Sequence, residues 1–272
     1  MRLAVLASGS GGNAAVLEMG GTCVLVDCGI SYRQACARMK AVGIAPERIQ
    51  AVLLTHEHDD HVKGLEVFLR HHRVPVLATV GTVEAMPFPP ADAQPLASGR
   101  EVRLGTLKVL PVETSHDARE PVGFVVEGGG RRIGVVTDTG VFSEFLVERL
   151  SGCHALLLEC NHDRDLLRYG PYPWPLKQRI ASHTGHLSNE QTSRALERLA
   201  HSALELVIGM HLSQTNNRPD LVERELSAIL AGSGVRIEVS SQHFPLTVSD
   251  GPEQLSLFPE QIERRSGAVR ER

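Results

Sequence analysis

The chain reads as an α/β protein built from two β-sheets with helices packed against their outer faces. Apolar runs of strand length begin at the third residue, and strands alternate with helical stretches along the 272-residue sequence. A dense group of histidines and aspartates directly after a short apolar run adds a reactive site at the edge of the sheets. Leu3 to Ala7 reads as the first strand and ends in a Gly-rich turn. Ala14 to Glu18 and Thr22 to Val26 follow, the last leading into Asp27 and Gly29. Residues 33–42 have helical spacing that stops near Gly43 and Pro46, and Ala51 to Leu54 forms a short strand running into the histidine cluster.

His61 to His72 reads as an amphipathic helix, and a Pro-rich connection spans 87–95. Strands are then predicted at Leu107 to Val112, Val122 to Glu127, Arg132 to Thr137, 154–159 and 205–209, with helices at 143–150, 188–200 and 219–231. No repeat of fixed period is visible. These elements assign residues 1–249 to one catalytic domain. Residues 250–272, rich in Pro, Glu, Gln and Arg, read as a flexible tail.

Composition narrows the function without choosing it. Apolar residues make up 42% and charged residues 22%, as in an ordinary globular protein. A formal net charge of −4 removes any global basic field, so contact with nucleic acid would rest on a local patch and on metal ions. The first apolar run meets Gly9 too soon for a signal peptide or a membrane span. Five cysteines, odd in number and without paired zinc-type spacing, read as reduced thiols of a cytoplasmic protein.

The chemistry gathers at Thr55-His56-Glu57-His58-Asp59-Asp60-His61. His56 and His58, one residue apart at a strand end, point to the same side and can share one cation. Asp60 and His61, at the turn into a helix, can offer a carboxylate oxygen and an imidazole to a second. Further donors should come from other strand ends. His116 follows the strand ending near Val112, Asp138 the one ending near Thr137, and His211 the one ending near Gly209.

With those later residues, the His56 to His61 motif resembles the metallo-β-lactamase superfamily over most of residues 1–249. The resemblance implies a four-layer αββα sandwich with a dinuclear site at one edge of the sheets. It assigns His56, His58 and His116 to one metal, Asp60, His61 and His211 to the other, and Asp138 to both. Leu-Ala-Ser-Gly-Ser-Gly-Gly-Asn at 6–13, Glu-Cys-Asn-His-Asp at 159–163, Tyr-Pro-Trp at 172–174, Gly-His-Leu-Ser-Asn at 185–189 and His-Leu-Ser-Gln-Thr-Asn-Asn at 211–217 are similar to one branch, the YycJ (WalJ) family. Its members are regarded as DNA exonucleases working from the 5′ side, which implies a 5′-to-3′ exonuclease of DNA repair or replication.

Two cations sharing a water suit phosphodiester hydrolysis, and imidazole and carboxylate donors accept zinc or manganese. By resemblance to the ribonuclease Z pattern His186 protonates the departing oxygen or stabilises the transition state, and Asp60, besides its place as a metal ligand, can accept a proton from the attacking water. Ser8, Ser10 and Asn13, in the turn with Gly9, Gly11 and Gly12, are candidates to cradle a terminal phosphate with backbone N–H groups. Tyr172, Trp174 and Lys177, close to Arg168 and Arg179, form a candidate DNA-contact surface of rings and cations.

In the tail, Gln254, Leu255, Leu257 and Phe258 belong to a pentapeptide similar to the motif by which bacterial repair proteins bind the DNA polymerase sliding clamp. The alternatives are a ribonuclease of the Z or J type, a thioesterase or lactonase of the same fold, and a non-catalytic metal- or clamp-binding protein. The 72 residues between Asp138 and His211 leave little room for the cap domain of a J-type ribonuclease.

Overall fold

The computed structural model describes residues 1–250. Gln254, Leu255, Leu257 and Phe258 lie outside the described residues. Six strands open the chain: β1 (Arg2–Ala7), β2 (Ala14–Met19), β3 (Thr22–Val26), β4 (Ala51–Leu53), β5 (Val76–Thr79) and β6 (Ala93–Leu96). Seven follow: β7 (Val102–Leu104), β8 (Leu107–Glu113), β9 (Val122–Gly128), β10 (Arg131–Val136), β11 (Ala155–Glu159), β12 (Leu206–Met210) and β13 (Arg236–Val239), with β14 (Leu246–Ser249) returning to β1. The first sheet runs β14-β1-β2-β3-β4-β5-β6 and the second β13-β12-β11-β10-β9-β8-β7. In each, antiparallel pairing gives way to parallel pairing midway: at β3–β4 in one, at β10–β11 in the other.

The helices are α1 (Tyr32–Ala41), α2 (Asp59–Val62), α3 (Leu65–His71), α4 (Val80–Ala85), α5 (Glu144–Leu150), α6 (Arg164–Tyr169), α7 (Trp174–Ile180), α8 (Asn189–Leu199) and α9 (Pro219–Ile229). Strand periodicity explains the layering. Leu3, Val5, Leu17, Val24 and Leu53 point at the other sheet and meet Val109, Phe124, Ile133 and Leu157. The intervening Leu6, Val16, Leu25 and Val52 point outward to Ala35, Met39 and Phe68 on the helices. Val125, Val136 and Leu158 do the same beneath Leu196, Val222 and Leu226. Strands covered on both faces are apolar throughout, and burying a Leu or Phe side chain fully is worth about 1.5–3 kcal/mol. The result is the αββα sandwich.

Two local expectations are corrected. The helix drawn over 61–72 is two, α2 and α3, because Gly64 lies against the 28–30 backbone: a Cβ there would stand 1.9 Å from the Ile30 carbonyl oxygen. The 87–95 connection ends inside β6, an edge strand that tolerates Pro95 because its outer side has no ladder to break. Proline-rich residues 168–179 include most of α7, which starts at Trp174 with Pro175 in its first turn, where a missing N–H costs nothing. The absence of a sequence repeat conceals a topological one, since both sheets are wired alike. Helix α8 starts from a reciprocal cap between Ser188 and Gln191. Among the described residues no helix is long and apolar enough to cross a membrane. All five cysteines are free, and burial pushes the Cys28 thiol up to about 12.

Candidate metal centre

Most of the site forms where the strands that pair in parallel end, with one donor from an antiparallel hairpin. The loop after β4 carries His56 and leads to His58 at the α2 N-cap, with Asp60 and His61 inside α2. His116 comes from the β8–β9 loop, Asp138 follows β10, Glu159 ends β11, His186 precedes α8, and His211 follows β12. Asp27, Asp138 and His211 are the non-glycine residues with positive φ among those described, at 58°, 57° and 55°. A left-handed backbone costs such residues about 1–2 kcal/mol each, so strain is concentrated at the ends of β3, β10 and β12. Packing holds it in place: His211 donates its backbone N–H to Ser8 Oγ at 2.7 Å.

His56, His61 and His116 each spend Nδ1 on the scaffold and keep Nε2 for the cluster. Asp27 accepts from the Thr55 N–H at 2.9 Å, from the Thr55 hydroxyl, and from His61 Nδ1 at 2.8 Å. With its proton given to Asp27, Thr55 Oγ1 is left to accept from His56 Nδ1 at 3.0 Å. His56 Nε2 is then buried with no hydrogen-bond partner among the described residues. His116 Nδ1 donates to the Gly185 carbonyl at 3.1 Å, turning its Nε2 to within 3.3 Å of His58 Nδ1. Two ring nitrogens facing each other beside an orphaned third are what a cation between them would satisfy. The donor set therefore fits divalent metal ions.

Donor atoms cluster within 4.8 Å of one another in three overlapping groups: His56, His58 and His116; His56, His61 and Asp138; and Asp138, Glu159, His186 and His211. Asp138 is common to two of them. Its Oδ2 lies 3.2 Å from His61 Nε2 and 2.9 Å from His211 Nδ1, and its Oδ1 3.8 Å from His116 Nε2. Asp60 Oδ2 stands 3.5 Å from His61 Nε2 and 3.7 Å from His211 Nε2. Burial disfavours the Asp138 anion, but His211 and His61 outweigh it and hold the carboxyl well below its usual range. Burial and the His61 charge lower His56 well below the ordinary imidazole value, keeping its lone pair free.

Glu159 and Asp27 were not picked out as site residues from sequence. Glu159 is fully buried; its Oε2 accepts from the Thr139 N–H at 2.9 Å, and its Oε1 meets His186 Nδ1 at 2.7 Å. Burial alone would lower His186, but Glu159 and then Asp138 raise it to about 9. Asp27 had a readable signal, because Asp27-Cys28-Gly29 and Asp138-Thr139-Gly140 both close an apolar strand.

The Gly-rich turn does not offer the open N–H cradle expected of it. Ser8 N–H bonds Ser241, Gly12 N–H bonds Gly9 and Asn13 N–H bonds Asp60, while Gly9 and Gly11 donate to the Asn13 and Gln242 side chains. Gly12 is required by the close approach of Gly29, whose oxygen would stand 2.4 Å from a Cβ. Ser8 is buried, and Asn13 reaches Asp60 Oδ2 at 3.2 Å and His61 Nε2 at 3.1 Å. Ser10 and Tyr172 line the cavity of about 290 Å³ above the cluster, with Tyr172 bonded to Thr215. Trp174 and Lys177 face away from that cavity, into another on the far side of α7.

Known proteins match this architecture. The beta-lactamase superfamily domain matches residues 22–212. A Bacillus anthracis protein named exodeoxyribonuclease YycJ is 34% identical over 86% of this chain and 90% of its own length. Exodeoxyribonuclease WalJ of Streptococcus pneumoniae is 31% identical over 88% of this chain and 91% of its own. The crystal structure of the metallo-β-lactamase-fold protein YhfI from Bacillus subtilis superposes with a TM-score of 0.71 at 14% identity, covering 91% of this chain and 98% of that one. Fold and donor set together define a metal-dependent hydrolase. The chain belongs to the beta-lactamase superfamily and, within it, to the family of the YycJ and WalJ proteins.

Proposed function

We propose that this protein is a 5′-to-3′ DNA exonuclease of the cytoplasm, acting in DNA repair or replication with two zinc or manganese ions. The observation that carries this reading is a clustered His and Asp donor set in a chain similar, over 86% of its length, to a named exodeoxyribonuclease. His56, His58 and His116 hold one ion, Asp60, His61 and His211 the other, and Asp138 lies between the two sets. Bound divalent ions supply an activated water and neutralise charge on the phosphodiester.

The chain's own groups do the rest. Asp60, partly open to the cavity, accepts a proton from the attacking water. His186, fixed through Nδ1 on Glu159, presents its other nitrogen to the departing oxygen and donates to it. Ser10, Asn13 and Tyr172 position the substrate near the cluster, and the inward-turned Ser8 supports His211. Trp174 and Lys177 belong to the wider DNA surface. Residues 254–258 bind the sliding clamp, tethering the enzyme to DNA and offsetting its acidic charge.

The test incubates the full chain, loaded with Mn²⁺ or Zn²⁺, with DNA and RNA labelled at either end. Mononucleotides released from the DNA 5′ end are expected. Faster digestion of RNA would make it a ribonuclease, and inert nucleic acid beside rapid thioester or lactone hydrolysis would overturn the nuclease reading. Clamp binding by the full chain, lost on deleting 252–272, tests the tail.

A further inference from the structure

Helix α7 is a partition. Leu176, Arg179 and Ile180 face the cavity over the metal centre, whereas Trp174, Lys177 and Gln178 face a separate cavity of about 530 Å³. Helical spacing produces the division, because positions three and four apart share a side. The neighbouring segment is split likewise: Asn161 lines the first cavity and His162 the second.

The outer cavity has the chemistry of a nucleotide site. Trp174 is 65% exposed, an unusual position for a large apolar ring, and Pro173 and Pro175 on either side restrict its backbone. Arg164, Arg168, Lys177 and Arg194 surround it, against the single carboxylate of Glu190. Glu190 is shared between Arg164 and Arg194, while Lys177 is braced on the Arg168 and Gly170 carbonyls at 2.9 and 2.7 Å. The Arg168 guanidinium lies over the Tyr169 ring at 5.4 Å, with no carboxylate partner among the described residues. At the cavity wall His162 is only 3% exposed, yet its Nδ1 has no hydrogen-bond partner among them. An exposed ring beside an excess of cations is the pattern of a site for a base and a phosphate, with the buried His162 in the wall behind it.

We infer that this outer cavity binds one nucleotide of a single-stranded DNA segment, its base stacked on Trp174 and its phosphate held by Arg168 and Arg194, on the opposite side of α7 from the cleavage site. The inference rests on the nuclease reading for its ligand. It extends that reading by giving the strand a second anchor, one that grips it without cutting.

Trp174 is the only tryptophan in the sequence, so its emission reports this cavity alone. The full, metal-loaded chain would be titrated with a short phosphorothioate-linked single-stranded oligodeoxynucleotide, which resists hydrolysis. Saturable quenching is expected, and Arg168→Glu should weaken the apparent Kd about tenfold. Trp174→Ala, followed by anisotropy of a labelled oligonucleotide, should weaken it similarly. Emission unchanged while anisotropy reports binding, or a Kd unaffected by Arg168→Glu, overturns the proposal. Equal quenching by inorganic polyphosphate would also overturn it, since that polymer has no base to stack. Quenching without digestion of ordinary DNA would sink the nuclease reading and leave the cavity standing; digestion without quenching would do the reverse.

Discussion

The two sheets of this molecule are wired alike but used differently. Counted from the outer edge, β14-β1-β2-β3 and β7-β8-β9-β10 are antiparallel, and β4-β5-β6 and β11-β12-β13 continue each sheet in parallel. Both β3 and β10 are followed within two residues by an aspartate with positive φ, 58° and 57°, and two positions after it by glycine: Asp27 before Gly29, Asp138 before Gly140. At matching places the carboxylates take different work. Asp27 is consumed by Thr55 and His61 and orients them, whereas Asp138 stands among His61, His116 and His211 at the centre of the cluster. The same strand end thus yields a support in one half and a central donor in the other, according to what the opposite half places beside it.

The largest effect should separate those two roles. Asp138→Ala is expected to abolish both turnover and metal occupancy, measured by hydrolysis of end-labelled DNA and by metal content after gel filtration. Retained stoichiometric metal would remove Asp138 from the centre. Next, His186→Ala should lower kcat by about 10²-fold or more, the range for a lost general acid. Glu159→Gln sharpens the same point through pH. His186 is protonated below its folded value of about 9, so activity needing that proton falls as pH rises through about 9. Without the Glu159 charge the fall should come at lower pH, and an unmoved alkaline limb would exclude Glu159 as the group that holds the proton.

Asp27→Asn should act more mildly, costing roughly 10–100-fold in metal affinity, as for other groups that orient a ligating histidine. A loss as complete as that of Asp138→Ala would erase the distinction between the halves. The smallest effect is structural. A Cβ at Gly29 would stand 1.6 Å from the Asp60 oxygen, and one at Gly140 2.3 Å from the Ser182 oxygen. Each alanine variant should lose about 1–3 kcal/mol in denaturant unfolding, as overpacked sites do. Only Gly29→Ala should also weaken metal binding, because it displaces Asp60.

Much of this could be read along the chain because it is local. Strand alternation from Leu3 onward and the one-residue spacing of His56 and His58 are set by peptide geometry, so they reveal sheets and a donor pair without tertiary information. The β5, β6, β7, β13 and β14 strands escaped notice because strands of three or four residues, all but β5 at sheet edges, carry little pattern. The Gly-rich turn misled for a related reason: glycine signals close backbone approach, but not whether the neighbour is a ligand or, as here, Gly29 and Gln242.

Residue order thus established the donor types, their grouping at strand ends and the sandwich that carries them, since covalent spacing and hydrophobic period are properties of the chain alone. Packing chose the partners. Glu159 meets His186 from 27 positions away, and Asp27 meets His61 from 34. Such pairings depend on how two sheets and their helices converge in space, which no local pattern encodes.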